Sequence, residues 1–97
     1  MPTYIALAKW TATGLQQLKD SPKRLDAGRK AFADAGVKLK EFYMLMGQYD
    51  MLLVIEAPDD AALAKAALTL ASQGRIQTET LRAFTEDEYR KIFSGIA

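Results

Sequence analysis

Residues 42–60 read FYMLMGQYDMLLVIEAPDD, and this stretch decides the fold. It contains two apolar runs separated by the tetrapeptide GQYD at residues 47–50. The second run, residues 51–55, is uninterrupted, which is typical of a central strand buried on both faces. The sequence Pro-Asp-Asp at residues 58–60 is a helix start. The stretch therefore predicts a β-hairpin followed directly by a helix.

The segments on either side of this hairpin complete an alternating order of strands and helices. Residues 3–10 (TYIALAKW) are apolar on both parities and predict a second central strand. Residues 75–84 (RIQTETLRAF) are β-branched but polar at Gln77 and Glu79, as in a shielded edge strand. The order β-α-β-β-α-β predicts one α+β, ferredoxin-like domain over residues 1–97, with a 4-1-3-2 antiparallel sheet and a C-terminal helix.

The first long helix has an apolar stripe on one side and charges on the other. Gly36 provides a left-handed stop at its end. The stripe recurs at helical spacing and consists of Leu25, Gly28, Phe32 and Ala35. The charges expected on the solvent side are Lys23, Arg24, Arg29 and Lys30. The pattern therefore predicts a helix that packs on the sheet through the stripe.

One face of the predicted sheet is too apolar to be left in water. Its apolar residues are either Ile5 and Leu7 or Tyr4 and Trp10, together with alternate members of residues 51–55. An exposed apolar face of this size is a binding surface or an aggregation hazard. We therefore expect the chain to pair with itself, as a homodimer or a higher homo-oligomer.

A C-terminal helix offers the alternative cover for this face. Residues 85–88 (TEDE) form a capping box that starts the helix. The apolar stripe that follows is Tyr89, Ile92, Phe93 and Ile96. If this helix folds back over its own sheet, the apolar face is hidden within a monomer.

Composition narrows the classes of partner. The chain has 13 Lys or Arg and 12 Asp or Glu, a net charge of +1, which provides no strong field for nucleic acid or anionic membrane. It has no Cys and no His, so we expect no metal and no cofactor. The acidic groups at residues 59–60 and 86–88 lie at helix starts. No basic leader and no run of 18 apolar residues is visible, so we expect a cytoplasmic protein without a membrane partner.

The GQYD turn is the main candidate site, and two interpretations stay open. In the first, Gly47 provides a positive φ and Asp50 accepts backbone N–H groups, so the tetrapeptide only holds the hairpin. In the second, the Gly47 amide and the Tyr49 hydroxyl form one wall of a small-molecule pocket beside a partner's sheet. The other candidates for this ligand site are Trp10, Tyr43 and Arg82. Each of these three has a structural alternative, as a core or interface aromatic or as an ion-pair partner.

No residue can be assigned a catalytic role from the sequence. Without His, an acid–base enzyme would need a shifted carboxylate, lysine or tyrosine, and no such pair can be identified from the spacing. Neither a P-loop nor a GxGxxG string occurs, so a nucleotide ligand has no support.

Four segments together resemble the GYD domain family, named for its glycine, tyrosine and aspartate. They are residues 3–14 (TYIALAKWTATG), 20–24 (DSPKR), 42–60 and 80–92 (TLRAFTEDEYRKI). The resemblance implies a dimeric α/β-barrel architecture, and the family carries no settled biochemical activity. Residues 47–59 are also similar to the effector-binding domain of the leucine-responsive regulatory protein family, in which a comparable loop lies near amino-acid effector sites between subunits. The chain departs from those regulators because it lacks a helix-turn-helix half.

Residues and resemblance together favour a homo-oligomeric module that binds a small molecule at or near its subunit interface. One alternative is a small dimeric α/β-barrel enzyme, because by analogy that superfamily includes monooxygenases, muconolactone isomerases and haem-dependent enzymes. The absence of His removes the usual proximal haem ligand, which leaves tyrosine as the substitute. The other alternative is a purely structural assembly module.

Overall fold

Four strands and four helices alternate along the chain in the order expected from the sequence. The computed structural model describes residues 1–96. The elements are β1 (Thr3–Trp10), α1 (Ala12–Gln16), a 3-10 turn (Leu18–Asp20), α2 (Ser21–Asp34), β2 (Lys38–Met44), β3 (Met51–Glu56), α3 (Asp60–Ala71), β4 (Ile76–Ala83) and α4 (Glu86–Ser94).

The strands form one antiparallel sheet in the order β2-β3-β1-β4. The two most apolar strands, β1 and β3, are therefore the central pair, and the polar β4 lies at an edge. This is the predicted 4-1-3-2 order, so the ferredoxin-like α+β fold is confirmed. Gly36 and Gly74 end the helical regions before β2 and β4 with φ of 78° and 74°, values that favour glycine.

A β-bulge in β2 determines which of its side chains face the helices. Leu39 pairs with Ile55 and Glu41 with Val54, so one extra residue, Lys40, lies between two consecutive pairs. The bulge shifts the alternation by one residue. As a result Leu39 and Phe42, three residues apart, both contact the helix-side core.

The core lies between the sheet and the helices α2 and α3. Its sheet side is formed by Tyr4, Ala6 and Ala8 of β1 and by the odd-numbered residues of β3. Phe32 of α2 and Leu63 of α3 cover them. Burying these apolar side chains stabilises the fold by about 25 cal/mol for each Å² removed from water.

The opposite side of the sheet, which we name the open face, is covered by none of the helices in residues 1–96. The apolar residues of the open face are Ile5, Leu7, Leu52, Val54 and Leu81. Register supports this assignment, because Ile5 lies opposite both Val54 and Leu81, and Leu7 lies opposite Leu52. The choice left open by the sequence is thus settled in favour of Ile5 and Leu7, while Tyr4 and Trp10 point to the helix side.

The C-terminal helix α4 does not cover the open face in the single chain. Its stripe of Tyr89, Ile92, Phe93 and Ile96 keeps between 48 and 63 % of each side chain exposed. The molecule is correspondingly elongated, with extents of 53 × 31 × 18 Å. The alternative in which α4 folds back over its own sheet is therefore wrong for the described residues. No helix among them is long and apolar enough to cross a membrane.

Candidate functional site

The GQYD turn is tied to the end of β1 by Asp50. Its Oδ2 accepts a hydrogen bond from the Trp10 amide at 3.0 Å, and its own amide donates to the Ala8 carbonyl at 2.9 Å. The Asp50 carbonyl accepts from the Leu45 amide at 2.7 Å, and Gly47 has a φ of 132°. Gly47 and Asp50 thus hold the hairpin in the way that the structural interpretation requires.

Tyr49 crosses one end of the open face. Its hydroxyl donates to Glu79 of β4, which lies directly opposite Leu7. The Lys9 ammonium lies 5.2 Å from the centre of the Tyr49 ring, a distance at which a cation and an aromatic ring attract each other. The hydrogen bond to Glu79 raises the pKa of Tyr49 above its ordinary value.

Tyr43 lies on the same face as Tyr49. It pairs with Leu52, which pairs with Leu7, so one row of side chains runs across the sheet to Glu79. Tyr43 remains 53 % exposed at the edge of this row. We name the group Lys9, Tyr43, Tyr49 and Glu79 the polar end of the open face. The sequence did not point to Lys9 and Glu79, because only the strand register brings them to Tyr49.

Arg82 lies at the other end of the sheet and does not join this group. It pairs with Tyr4, and its guanidinium donates to the Thr3 carbonyl at 3.2 Å and to the Ala83 carbonyl. The guanidinium stacks 4.4 Å from the Phe84 ring. It also lies 3.8 Å from Glu88, near the start of α4. These contacts give Arg82 a structural role at the junction between β4 and α4.

Trp10 faces a different space, a cavity of about 680 Å³ between the sheet and the helices. The cavity is lined mainly by apolar side chains from α2 and from the strands below it. Arg24 also lines it, although the helical pattern assigned this residue to the solvent side. The six ligand-site residues expected from the sequence therefore lie in three separate places. Tyr43, Gly47, Tyr49 and Asp50 lie at the turn and the polar end of the open face, Trp10 lines the cavity, and Arg82 lies at the other end of the sheet.

The side chains at these places form hydrogen bonds and a cation–aromatic contact. Tyr4 donates to Asp60, and this hydrogen bond raises the pKa of Tyr4 as the one to Glu79 raises that of Tyr49. Both hydroxyls are therefore protonated at neutral pH and donate these hydrogen bonds. Within residues 1–96 no cluster of three metal-ligating side chains occurs.

Comparison with known proteins gives a family and one enzyme-binding relative. The family model of the GYD domain matches residues 4–93. A protein of Thermus thermophilus, named glutamine synthetase and cystathionine beta-lyase binding protein, is 39 % identical over 84 residues, which cover 86 % of this chain and 88 % of that protein. No solved structure matches. The similarity to the leucine-responsive regulators that residues 47–59 suggested is not shown by these comparisons. Because the family model covers nearly the whole chain, this protein belongs to the GYD domain family.

Proposed function

We propose that this chain is a homo-oligomeric binding module that docks on a metabolic enzyme through α4. The observation that carries the proposal is the apolar stripe of α4, which the rest of the described chain leaves about half exposed. An amphipathic helix is stabilised chiefly by burying its apolar face, so this stripe has to be buried on another molecule. A helix presented in this way fits an apolar groove on a partner protein.

The identity of the enzyme is suggested by the Thermus relative. Its name describes binding to glutamine synthetase and to cystathionine beta-lyase. It is 39 % identical to this chain over 84 residues, which are 86 % of the chain. We therefore propose an enzyme of amino-acid metabolism as the partner, with glutamine synthetase as the first to test. The stripe residues at 89, 92 and 93 fall within the region matched by the family model.

Self-association is the second part of the proposal, and the open face supports it. Its apolar residues are contiguous across three strands, and a contiguous apolar patch of this kind is typical of an interaction surface. Charges of both signs border it, among them Lys9 and Glu79 at one end and Lys38 and Glu56 at the other. Two copies of such a surface can pair about a two-fold axis. The positive groups of one copy then lie opposite the negative groups of the other. Two sheets packed in this way would form the dimeric α/β barrel that the resemblance to the GYD domain family implies.

A small ligand between the subunits is the third part. The polar end of the open face, with Tyr43, Tyr49 and Lys9, would become a partly enclosed pocket once a second copy covers the face. Native mass spectrometry of gently purified protein tests this part. A discrete extra mass on the oligomer that is lost in the Tyr49→Phe variant supports it, and an empty oligomer contradicts it.

Enzyme docking is tested by sedimentation velocity with purified glutamine synthetase and cystathionine beta-lyase from the organism that encodes this chain. We expect the wild type to co-sediment with at least one enzyme and the double variant Ile92→Ser/Phe93→Ser to sediment separately. Leu68→Ser is the matched control, because Leu68 is a 70 % exposed apolar residue on another helix, α3. Wild-type protein that binds neither enzyme contradicts the docking proposal. A double variant that loses its own oligomeric state instead places α4 in the homo-oligomer interface.

A further inference from the structure

The cavity below α2 lies on the opposite side of the sheet from the surfaces considered so far. Its floor is apolar and includes Leu39, Phe42, Met51 and Leu53. Its volume of about 680 Å³ falls within the range of about 300–1,000 Å³ that is typical of small-molecule sites. The cavity is partly open to solvent, but a sheet and the helices that cover it are usually close-packed, so a space of this size calls for a physical explanation.

The space exists because the inner side of α2 is small where it faces the floor. Gly28 lies on the stripe between Leu25 and Phe32, and a Cβ built at Gly28 would meet nothing within 4 Å. A glycine inside a helix lowers its stability by about 1 kcal/mol relative to alanine. The chain thus carries a destabilising residue at a position that lines the cavity and has room for a larger side chain.

The charged side chains around the cavity are all positive. Arg24, Arg29 and Arg75 line it, and none of the described lining residues is acidic. Arg75 is engaged by two side-chain oxygens, Oε1 of Gln17 at 2.9 Å and Oε1 of Gln73 at 3.4 Å. Arg24 donates through Nη1 to the Gln17 carbonyl at 2.9 Å. These contacts leave the second amino group of Arg24 to be accounted for.

The Nη2 atom of Arg24 is buried and has no hydrogen-bond partner among the described residues. A buried donor without an acceptor is costly, and the cost is larger when the group is charged. A carboxylate is the acceptor that a guanidinium pairs with most favourably, because it offers two oxygens to the planar fork.

From these observations we propose that the cavity binds a small monocarboxylate with an apolar body. The body lies over the floor beneath Gly28, and the carboxylate pairs with Arg24, whose buried Nη2 reaches the ligand when the side chain rotates towards the cavity. The site is independent of the proposed enzyme docking through α4. The charge of the rim favours an anion, the lining favours a hydrocarbon or aromatic body, and the volume limits its size.

The test uses three probes that share one tail and differ in charge: decanoate, decanol and decylamine. Trp10 is the single tryptophan of the chain and lines the cavity, so its fluorescence reports binding directly. We expect decanoate to change Trp10 emission saturably below its micellar concentration. Decanol should bind at least tenfold more weakly and decylamine not at all. Equal affinity for decanoate and decanol, or no response to decanoate, overturns the proposal.

Two variants locate the site, with circular dichroism to verify the fold. Gly28→Leu should abolish decanoate binding while retaining or raising the melting temperature, because leucine favours the helix and fills the space. Arg24→Gln should weaken decanoate at least tenfold and leave decanol unchanged. The control Arg90→Gln removes an exposed arginine that is paired with Glu86 in α4, and it should bind as the wild type does. Wild-type affinity in Gly28→Leu contradicts the proposal.

Sedimentation velocity with decanoate excludes the main competing occupant, which is the α4 helix of a second copy. If the cavity takes a small molecule, saturating decanoate leaves the oligomeric state unchanged. Dissociation of the oligomer by decanoate, in step with the Trp10 signal, would show that α4 of another copy fills the cavity and would overturn the proposal.

Discussion

The Asp50 carboxylate accepts a hydrogen bond from the backbone amide of Trp10 at 3.0 Å and so joins the β2–β3 turn to the end of β1. Removing the acceptor leaves a partly buried N–H group unsatisfied. We expect Asp50→Ala to lower the free energy of unfolding by about 1–3 kcal/mol, measured by urea denaturation. Asp50→Asn should lose less, because its amide oxygen can still accept. Asp26→Ala, on α2, is the control, and a loss equal to that of Asp50→Ala would contradict this role.

Substitution by alanine is expected to have opposite effects on stability at Gly14 and at Gly28. A Cβ at Gly14 would overlap the carbonyl oxygen of Arg75, a backbone atom that accepts from the Thr11 amide at 3.0 Å. We expect Gly14→Ala to destabilise the fold by about 1–3 kcal/mol. Gly28→Ala meets no neighbour and should stabilise it by up to about 1 kcal/mol. Thermal unfolding of the two variants checks both signs, and a stable Gly14→Ala variant would refute the close approach.

The Tyr49–Glu79 hydrogen bond predicts that Tyr49 ionises at a higher pH than an ordinary tyrosine. Because the hydrogen bond to Glu79 raises the pKa of Tyr49, its phenolate should appear above the ordinary pH of about 10 in an absorbance titration. Glu79→Gln should bring the pKa of Tyr49 back towards that value. A pKa raised in the folded state contributes stability below the unfolded-state value and loses it as pH rises through the folded-state value. The Tyr49→Phe variant identifies which part of the absorbance change belongs to Tyr49. A wild-type protein in which the pKa of Tyr49 is not raised would contradict the hydrogen bond to Glu79.

The capping box predicts how α4 responds to mutation and to acid. The Thr85 hydroxyl accepts from the Glu88 amide at 3.2 Å, and the Glu88 carboxylate accepts from the Thr85 amide at 2.9 Å. Since α4 is uncovered, losing the Thr85 cap should cost its helix about 1 kcal/mol. We expect Thr85→Ala to speed amide exchange in residues 86–94 while exchange in β1 is unchanged.

Low pH should destabilise α4. The hydrogen bond from the Thr85 amide holds the pKa of Glu88 below its ordinary value. A lowered folded-state pKa gives stability that is present above the unfolded-state value and is lost as pH falls through the folded-state value. Protection from exchange in residues 86–94, measured against the intrinsic rate at each pH, should therefore fall below about pH 4.5, the ordinary glutamate value, and Glu88→Gln should remove much of that dependence.

Much of the fold follows from apolar runs and helix signals, whereas the sites depend on distances that no local pattern encodes. The central strands, the edge strand and the capping box are all visible as residue patterns. The bulge at Lys40 is not, because one extra residue in a strand leaves no local signal. Which parity of β1 faces the helices was also undecided, since Ile5 and Tyr4 are both large and apolar.

The candidate site was predictable only in part for the same reason. Asp50 as a backbone acceptor follows from turn chemistry. The partners of Tyr49 depend on strand register, and the cavity depends on how α2 lies over the sheet. Arg24 belongs to the solvent side by helical spacing, yet the placement of α2 brings it to the cavity.

The homo-oligomeric module and its interface ligand site both require that the open face joins this chain to its own copy, and sedimentation velocity at micromolar concentration tests this contact. We predict a dimer or higher oligomer for the wild type and a folded monomer for Leu7→Glu, because a buried unpaired carboxylate would oppose the contact. Met46→Glu is the control, since Met46 is 97 % exposed in the hairpin turn, and it should sediment as the wild type does. A wild-type chain that sediments as a clean monomer would contradict the account.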